Sequence, residues 1–221
     1  RECTEGFYAD RNMFDGRGEF MPTPDMALAV RKVTARQCER ISRVAFEWAR
    51  KRRRQVTAVH KANVLHISDG LFLREVRKVA QEFPQVQLEE AIIDAMAALV
   101  IRDPTRFDVI VPTNMYGDIL SDEASELSGS HGLAGSVNAG DDLCVAQAQH
   151  GSAPDMAAQD RANPTSLMLS GGMMLEWMGR RHASSALSSA AAAIEKAVDS
   201  ALSNPATRTR DLGGPLGTQA F

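Results

Sequence analysis

Two rhythms of apolar spacing run through the first half of the chain, one of period two and one of period three to four. Residues 26 to 33, Met-Ala-Leu-Ala-Val-Arg-Lys-Val, read as a strand, and Thr34-Ala35-Arg36-Gln37 has the form of a capping box that opens a helix. Ile41, Val44, Ala45 and Trp48 recur at three and four along that helix, which ends in the basic run Arg50 to Arg54. A strand over 56–60 follows, then the loop Lys61-Ala62-Asn63-Val64. The next helix has Asp69 as its expected N-cap and Phe72, Val76, Val79, Ala80 and Phe83 on its core side. Strands near 86–88 and 107–111 and helices near 94–101 and 118–127 continue the alternation, which predicts an α/β architecture with much of its sheet parallel.

Beyond Ser128 the texture changes. Gly129, Gly132, Gly135 and Gly140 punctuate a stretch that reads as loops around a short strand. Asn163-Pro164 supplies an N-cap with proline at the first helical position, and Leu167, Met174 and Trp177 form the expected buried side of the helix that follows. Gly171-Gly172 within it predicts a close neighbour on that side. The Ala/Ser-rich stretch 183–203 keeps helical spacing at Ala190, Ile194, Ala197, Val198 and Leu202. The expected domains are 1–128 and 129–221.

Composition narrows the class. The 221 residues are enough for one large or two small domains, and no window approaches the ~18 consecutive apolar residues of a membrane span. A net charge of −3 gives no general positive field for nucleic acid, and nothing aromatic interleaves the basic run, which is expected to be a solvated helix end. Cys3, Cys38 and Cys144 lie far apart without a Cys-x-x-Cys pair, a pattern that suits a reducing cytoplasm. The chain opens on Arg1 rather than Met, and an amino-terminal truncation is expected.

Candidate chemistry lies at a few points. Asp118 and Asp122 are four apart, so on a helix both carboxylates reach one cation, and Asp94, at a strand-to-helix junction, can supply a third. Lys61, directly after a strand, fits a phosphate binder, a base or a solvated loop charge. Arg1 suits a carboxylate and Tyr8 a general acid, although isolated residues of either type usually serve structure. His150-Gly151-Ser152-Ala153-Pro154-Asp155 is a small-residue loop that lets a ligand approach backbone amides, and a carboxylate at its end can accept ribose hydroxyls. No Gly-x-Gly-x-x-Gly accompanies it.

The series Arg1-Glu2-Cys3-Thr4-Glu5-Gly6-Phe7-Tyr8, His60-Lys61-Ala62-Asn63-Val64-Leu65, Ile93-Asp94-Ala95-Met96-Ala97, Gly117 to Asp122, His150 to Asp155, Ala162-Asn163-Pro164 and the closing Asp211-Leu212-Gly213-Gly214 resembles the isocitrate and isopropylmalate dehydrogenase family, in order and spacing. The resemblance implies that family's two-domain α/β fold with the first part of the larger domain missing: a central dimerisation and catalytic domain over 1–128 and the carboxy-terminal part of a cofactor-binding domain over 129–221. It implies NAD-dependent oxidative decarboxylation of a 2-hydroxy di- or tricarboxylic acid. Arg1 is then a clamp on a substrate carboxylate, Tyr8 the acid that protonates the enolate carbon, and Lys61 the group that handles the hydroxyl proton. Asp94, Asp118 and Asp122 become ligands of Mg²⁺ or Mn²⁺. Asn63 meets the nicotinamide end of NAD, while His150, Gly151, Ser152, Ala153, Pro154, Asp155 and Asn163 hold the adenosine end, with the Asp155 charge opposing the 2'-phosphate of NADP.

The resemblance also implies a homodimer in which Lys61 and Asp94 enter the partner's site. The family's opening glycine loop and two further substrate arginines have no counterpart here, so the 221 residues alone are expected to be inactive. Cys3 stands where asparagine or leucine is usual, and Gln147-Ala148-Gln149 replaces a more usual Glu-Pro-Val. The competing reading is a non-catalytic binding or regulatory protein on the same scaffold. Retention of Lys61, Tyr8 and the three aspartates favours the enzyme.

Overall fold

The computed structural model describes residues 1–9 and 13–221. They divide into two compact units, Arg1–Ala124 and Ser125–Phe221.

The first unit is built on a parallel sheet of three strands, β3 (Gln55–His60) between β4 (Gln87–Ile92) and β5 (Val109–Pro112), which follow an antiparallel ribbon of β1 (Glu19–Thr23) and β2 (Met26–Ala29). Val56 to His60 are all buried, as expected of a central parallel strand covered on both faces. Successive side chains divide between two cores. Val56 and Ala58 join Phe46, Phe72 and Val76 from α1 (Ala35–Arg50) and α2 (Ser68–Ala80). Val59 points the other way, to Met96, Val100 and Leu120 from α3 (Ile93–Arg102) and α4 (Asn114–Leu127). The crossover helices thereby cover both faces, and the C-terminal ends of the strands are free to carry chemistry.

Local details depart from the expectations in several places. The strand expected over 26–33 is β2 alone, and it belongs to the ribbon, every residue of which is exposed. After Ala29 the chain is drawn aside, with Val30 N–H donating to Gly18 O and Gly6 N–H to Lys32 O. Thr34 does cap α1, its hydroxyl accepting the Gln37 N–H at 3.4 Å. The buried face of α1 is Cys38, Ser42, Ala45, Phe46 and Ala49, one step round from the expected stripe, so that Val44 and Trp48 are exposed. Asp69 is no N-cap: α2 starts behind Ile67 without a side-chain cap, and Asp69 is fully buried and turned to other partners. The basic run is more than a solvated end. Asp108, whose side chain is 1% exposed, accepts from Arg52 Nε and the Arg53 N–H, both at 2.9 Å, and the Arg53 guanidinium donates to the Thr105 and Phe107 carbonyls.

The second unit carries an antiparallel pair, β6 (Gly135–Ala139) and β7 (Cys144–Ala148), where one short strand was expected. Helix α5 (Thr165–Arg181) crosses both strands, and α6 (Ser185–Ser203) lies along α5. The inner face of α5 is small and polar. Ser170 Oγ accepts the Ser136 N–H at 2.9 Å and donates to Gln147 O at 2.7 Å, while Ser166 Oγ donates to Ala134 O at 2.5 Å, so hydroxyls help fix the helix to the ribbon. Leu167 is accordingly 57% exposed, contrary to expectation. Gly171 faces open space. A Cβ on Gly172 would meet Ile194 at an ordinary 3.6 Å, whereas one on Gly179 would come within 2.5 Å of Ser188 Oγ, so the tight approach lies one heptad further on than expected. Helix α6 buries Ala191 and Val198 and exposes Ala190 and Ala197. Among the described residues no helix is long and apolar enough to cross a membrane.

Candidate active site

In the first unit the opening segment is pinned from beneath by two acids that sequence reasoning passed over. Glu2 and Glu5 are 7% and 4% exposed. Glu2 folds back to accept the Thr4 and Glu5 N–H groups, at 2.7 and 3.1 Å, and Glu5 accepts the Thr34 N–H and hydroxyl at 2.6 and 2.9 Å. Asn114, also buried, closes the arrangement by donating Nδ2 to Glu5 O at 2.8 Å. Its Oδ1 accepts both Nε and Nη2 of Arg1, at 3.0 and 2.8 Å, and the third guanidinium nitrogen pairs with Asp118. Gly117 makes room for this: a Cβ there would stand 2.7 Å from Arg1 Cγ. Tyr8, half exposed, has its ring centroid 5.9 Å from the Arg1 guanidinium carbon.

Lys61 leaves the C-terminal end of β3, the customary position for ligand chemistry in a parallel α/β sheet. Its Nζ lies 2.5 Å from Asp94 Oδ1 at the start of α3, and that hydrogen bond holds the Asp94 carboxyl below the ordinary range. The turn is tightly tied. Asp69 accepts the Lys61 N–H at 2.5 Å, and His60 Nδ1 accepts the Ala62 N–H at 3.0 Å. Lys61 O accepts from Val64 and Leu65. Burial of the His60 imidazole lowers its pKa, which favours the neutral ring that this acceptor role requires. Asn63 is exposed on the same turn.

Asp118 and Asp122 both lie on α4. Among the described residues no three His, Cys, Asp or Glu side chains converge on one point: Asp94 lies against Lys61 and Asp118 against Arg1. Two carboxylates one helical turn apart are nevertheless the hard oxygen donors that Mg²⁺ or Mn²⁺ takes while keeping several waters, so the donor set fits such an ion.

The second unit contains a cavity of about 660 Å³. His150, Gly151, Ser152, Ala153 and Asn163 line it, together with Asp211 and Gln219 from the closing segment and with Asp160 and Arg161, which sequence reasoning did not single out. Pro154 and Asp155 form the turn that follows and are not among its lining residues. The wall is stiffly held. Ala153, Ala158 and Asp160 adopt left-handed backbone at φ of 39°, 59° and 50°, and Asp160 Oδ1 accepts the Gln219 N–H at 2.8 Å. Asn163 accepts the Thr165 N–H and donates to Asp211, both at 3.0 Å. Burial would raise the Asp211 carboxyl, but hydrogen bonding, with Ser130 and Asn163 as donors, outweighs it and holds that group below the ordinary range.

Comparison with known proteins places this geometry. The isocitrate/isopropylmalate dehydrogenase family profile matches residues 1–221. The chain is 43% identical over 222 residues to an isocitrate/homoisocitrate dehydrogenase of Thermus thermophilus, covering all of this chain and 62% of the relative. It is 42% identical to a 3-isopropylmalate dehydrogenase of Methanothermobacter thermautotrophicus, covering 99% and 62%. Among solved structures, an isocitrate dehydrogenase from Methylococcus capsulatus superposes with a TM-score of 0.87 at 40% identity, covering 98% of this chain and 62% of that one. The chain spans about three-fifths of the length of these relatives. With the α/β fold and its motifs in common, the chain belongs to the isocitrate/isopropylmalate dehydrogenase family.

Proposed function

We propose that this chain is the catalytic and adenosine-binding part of a dehydrogenase that oxidises and decarboxylates a 2-hydroxy di- or tricarboxylic acid with NAD. The observation that carries the reading is a pairing within the first unit: each expected reactive cation lies on an expected metal-binding carboxylate, Arg1 on Asp118 and Lys61 on Asp94. Both pairs are partly exposed, and such pairs contribute little to stability. They can therefore exchange partners at low cost. A dianionic acid would take Arg1 from Asp118, leaving the Asp118 carboxylate to hold a divalent cation.

Asp118 and Asp122 would hold the ion together with the partner subunit's Asp94, a division supported by the failure of three acids to converge among the described residues. When bound, the ion and NAD supply electrostatic stabilisation of the substrate oxygens and a hydride acceptor. The chain's own residues do the rest. Arg1, held by Asn114, orients a substrate carboxylate through its fork of donors. Lys61, presented by the partner, handles the hydroxyl proton through its Nζ, the atom that Asp94 holds here. Tyr8, beside Arg1, returns a proton to the enolate carbon after CO₂ has left.

Asn63 meets the nicotinamide end of NAD, and the cavity walled by His150 to Ala153 and Asn163 takes the adenosine end. Asp155, with Pro154 on the turn beside it, disfavours a 2'-phosphate. The three cysteines are free thiols, which suits a reducing cytoplasm. The test is NADH formation by the full-length protein with isocitrate, isopropylmalate, homoisocitrate, tartrate and D-malate in the presence of Mn²⁺. Lys61→Met and Tyr8→Phe should each reduce turnover by about 10²-fold or more. Unchanged turnover in either variant would refute its role.

A further inference from the structure

A buried ion pair joins three segments that the reaction uses. Arg31, just after β2, has a side chain 9% exposed, and it pairs with Asp69, whose side chain is wholly buried in the first turn of α2. The same guanidinium donates to Ser68 Oγ at 3.2 Å and to Thr113 Oγ1 at 2.9 Å. Its carbon lies 5.4 Å from the ring centroid of Tyr116 and 6.0 Å from that of Phe7. The second oxygen of Asp69 accepts the Lys61 N–H. One cation thus touches the residue before Tyr8 and the first turn of α4, two residues short of Asp118. Its carboxylate grips the peptide from which the Lys61 side chain departs.

Stability alone is a poor account of this pair. Taking two charges out of water costs about as much as their attraction returns, and well-packed apolar residues often serve a core equally well. What an apolar pair cannot supply is an acceptor aimed at one backbone N–H. That bond, with the Lys61 carbonyl's own two bonds, fixes the peptide planes on both sides of Lys61 and hence the direction of its Cα–Cβ bond.

We propose that Asp69 and Arg31 are positioning residues: Asp69 orients the Lys61 turn through its backbone amide, and Arg31 holds Asp69 in place while registering the Phe7-Tyr8 segment and α4 against it. The assignment rests on the reading of Lys61 as the group that handles the hydroxyl proton. In the full-length protein, Asp69→Ala should accelerate amide hydrogen exchange at Lys61 by about tenfold or more while leaving the α2 amides from Phe72 to Val79 protected. It should lower kcat by about 10- to 100-fold, the cost of a misplacement near 1 Å, with little change in the KM for NAD.

Asp69→Asn keeps an acceptor for the amide and should restore both exchange and kcat to within about threefold of wild type. Equal defects in the Ala and Asn variants would overturn the proposal, as would an unchanged Lys61 amide in a folded Ala variant. Should Asp69→Ala not fold, the paired change Arg31→Met with Asp69→Leu removes both charges and reads the same amide. Full protection of Lys61 in that variant would likewise overturn the assignment. If Lys61→Met retains wild-type turnover, the functional reading fails, while exchange at Lys61 still reports whether Asp69 holds the turn.

Discussion

Replacing Gly117 by alanine tests the link between packing and substrate binding. In an ordinary helix interior this change gains about 1 kcal/mol, because alanine loses less backbone entropy. Here the new Cβ would stand 2.7 and 2.8 Å from Arg1 Cγ and Cβ and 3.0 Å from Pro112 Cγ. The Arg1 atoms lie at the root of the side chain, so Arg1 cannot escape by swinging its tip. Relieving such overpacking costs about 1–3 kcal/mol. The two terms nearly cancel, and the melting temperature should move by only a few degrees.

Binding responds differently. The guanidinium is displaced from Asn114 Oδ1 and Asp118, and it no longer meets the substrate carboxylate squarely. A charge-assisted contact is worth about 1.5–3 kcal/mol, discounted to about 1–2 for a side chain that remains a third exposed. That loss raises the KM for the acid by about 5- to 30-fold and leaves the KM for NAD unchanged. Steady-state kinetics on the full-length protein, with circular dichroism melting alongside, measures both. A folded Gly117→Ala protein with wild-type KM for its acid would refute the role given to Arg1 and to the space beneath it.

Gly171→Ala, whose Cβ would meet nothing within 4 Å, should stabilise the second unit by about 1 kcal/mol. Gly179→Ala should destabilise it by about 1–3 kcal/mol through contact with Ser188, and urea melts distinguish the two; equal effects would show that α6 is not where the structure puts it. The depressed Asp211 carboxyl contributes stability that is present above the ordinary Asp range near 3.9 and is lost as pH falls through its lower folded value. Asp211→Asn should flatten that acid limb in a pH series of melts, and an unchanged limb would count against the Ser130–Asp211–Asn163 tie. The 221 residues alone should form no NADH from any of the five acids, since Arg1 is the one substrate arginine that the resemblance identifies within them; measurable turnover would contradict this.

Periodicity disclosed most elements of the first unit and the parallel character of its sheet, since strands and helices alternate along the chain, but not the order of the strands. It misplaced the buried face of α1 by one step. Val44 and Trp48 fit the spacing as well as Cys38 and Phe46 do, and only the neighbour, α2, decides between two stripes on one helix. The small inner face of α5 escaped for a related reason. Ser166 and Ser170 are buried because their hydroxyls find partners on β6 and β7, and a hydropathy pattern reads a serine as exposed whether or not such a partner exists.

The residues proposed to carry chemistry divide along the same line. Arg1, Lys61, Asp94, Asp118 and Asp122 stand in local motifs whose spacing is itself the signal. Glu2, Glu5, Arg31, Asp69 and Asn114 hold them in place: Glu2 does so within its own turn, while the other side chains meet partners 29 to 113 residues away, or, for Asp69 and Lys61, across a turn. Asp69 shows the difficulty plainly. An aspartate ahead of an apolar helical run is the ordinary mark of an N-cap, and it takes a cation 38 residues upstream to turn that carboxylate inward and leave the helix uncapped. A buried acid without a sequence-local partner is therefore the place where local reading fails first, and in this chain that failure falls on the residue that grips the Lys61 backbone.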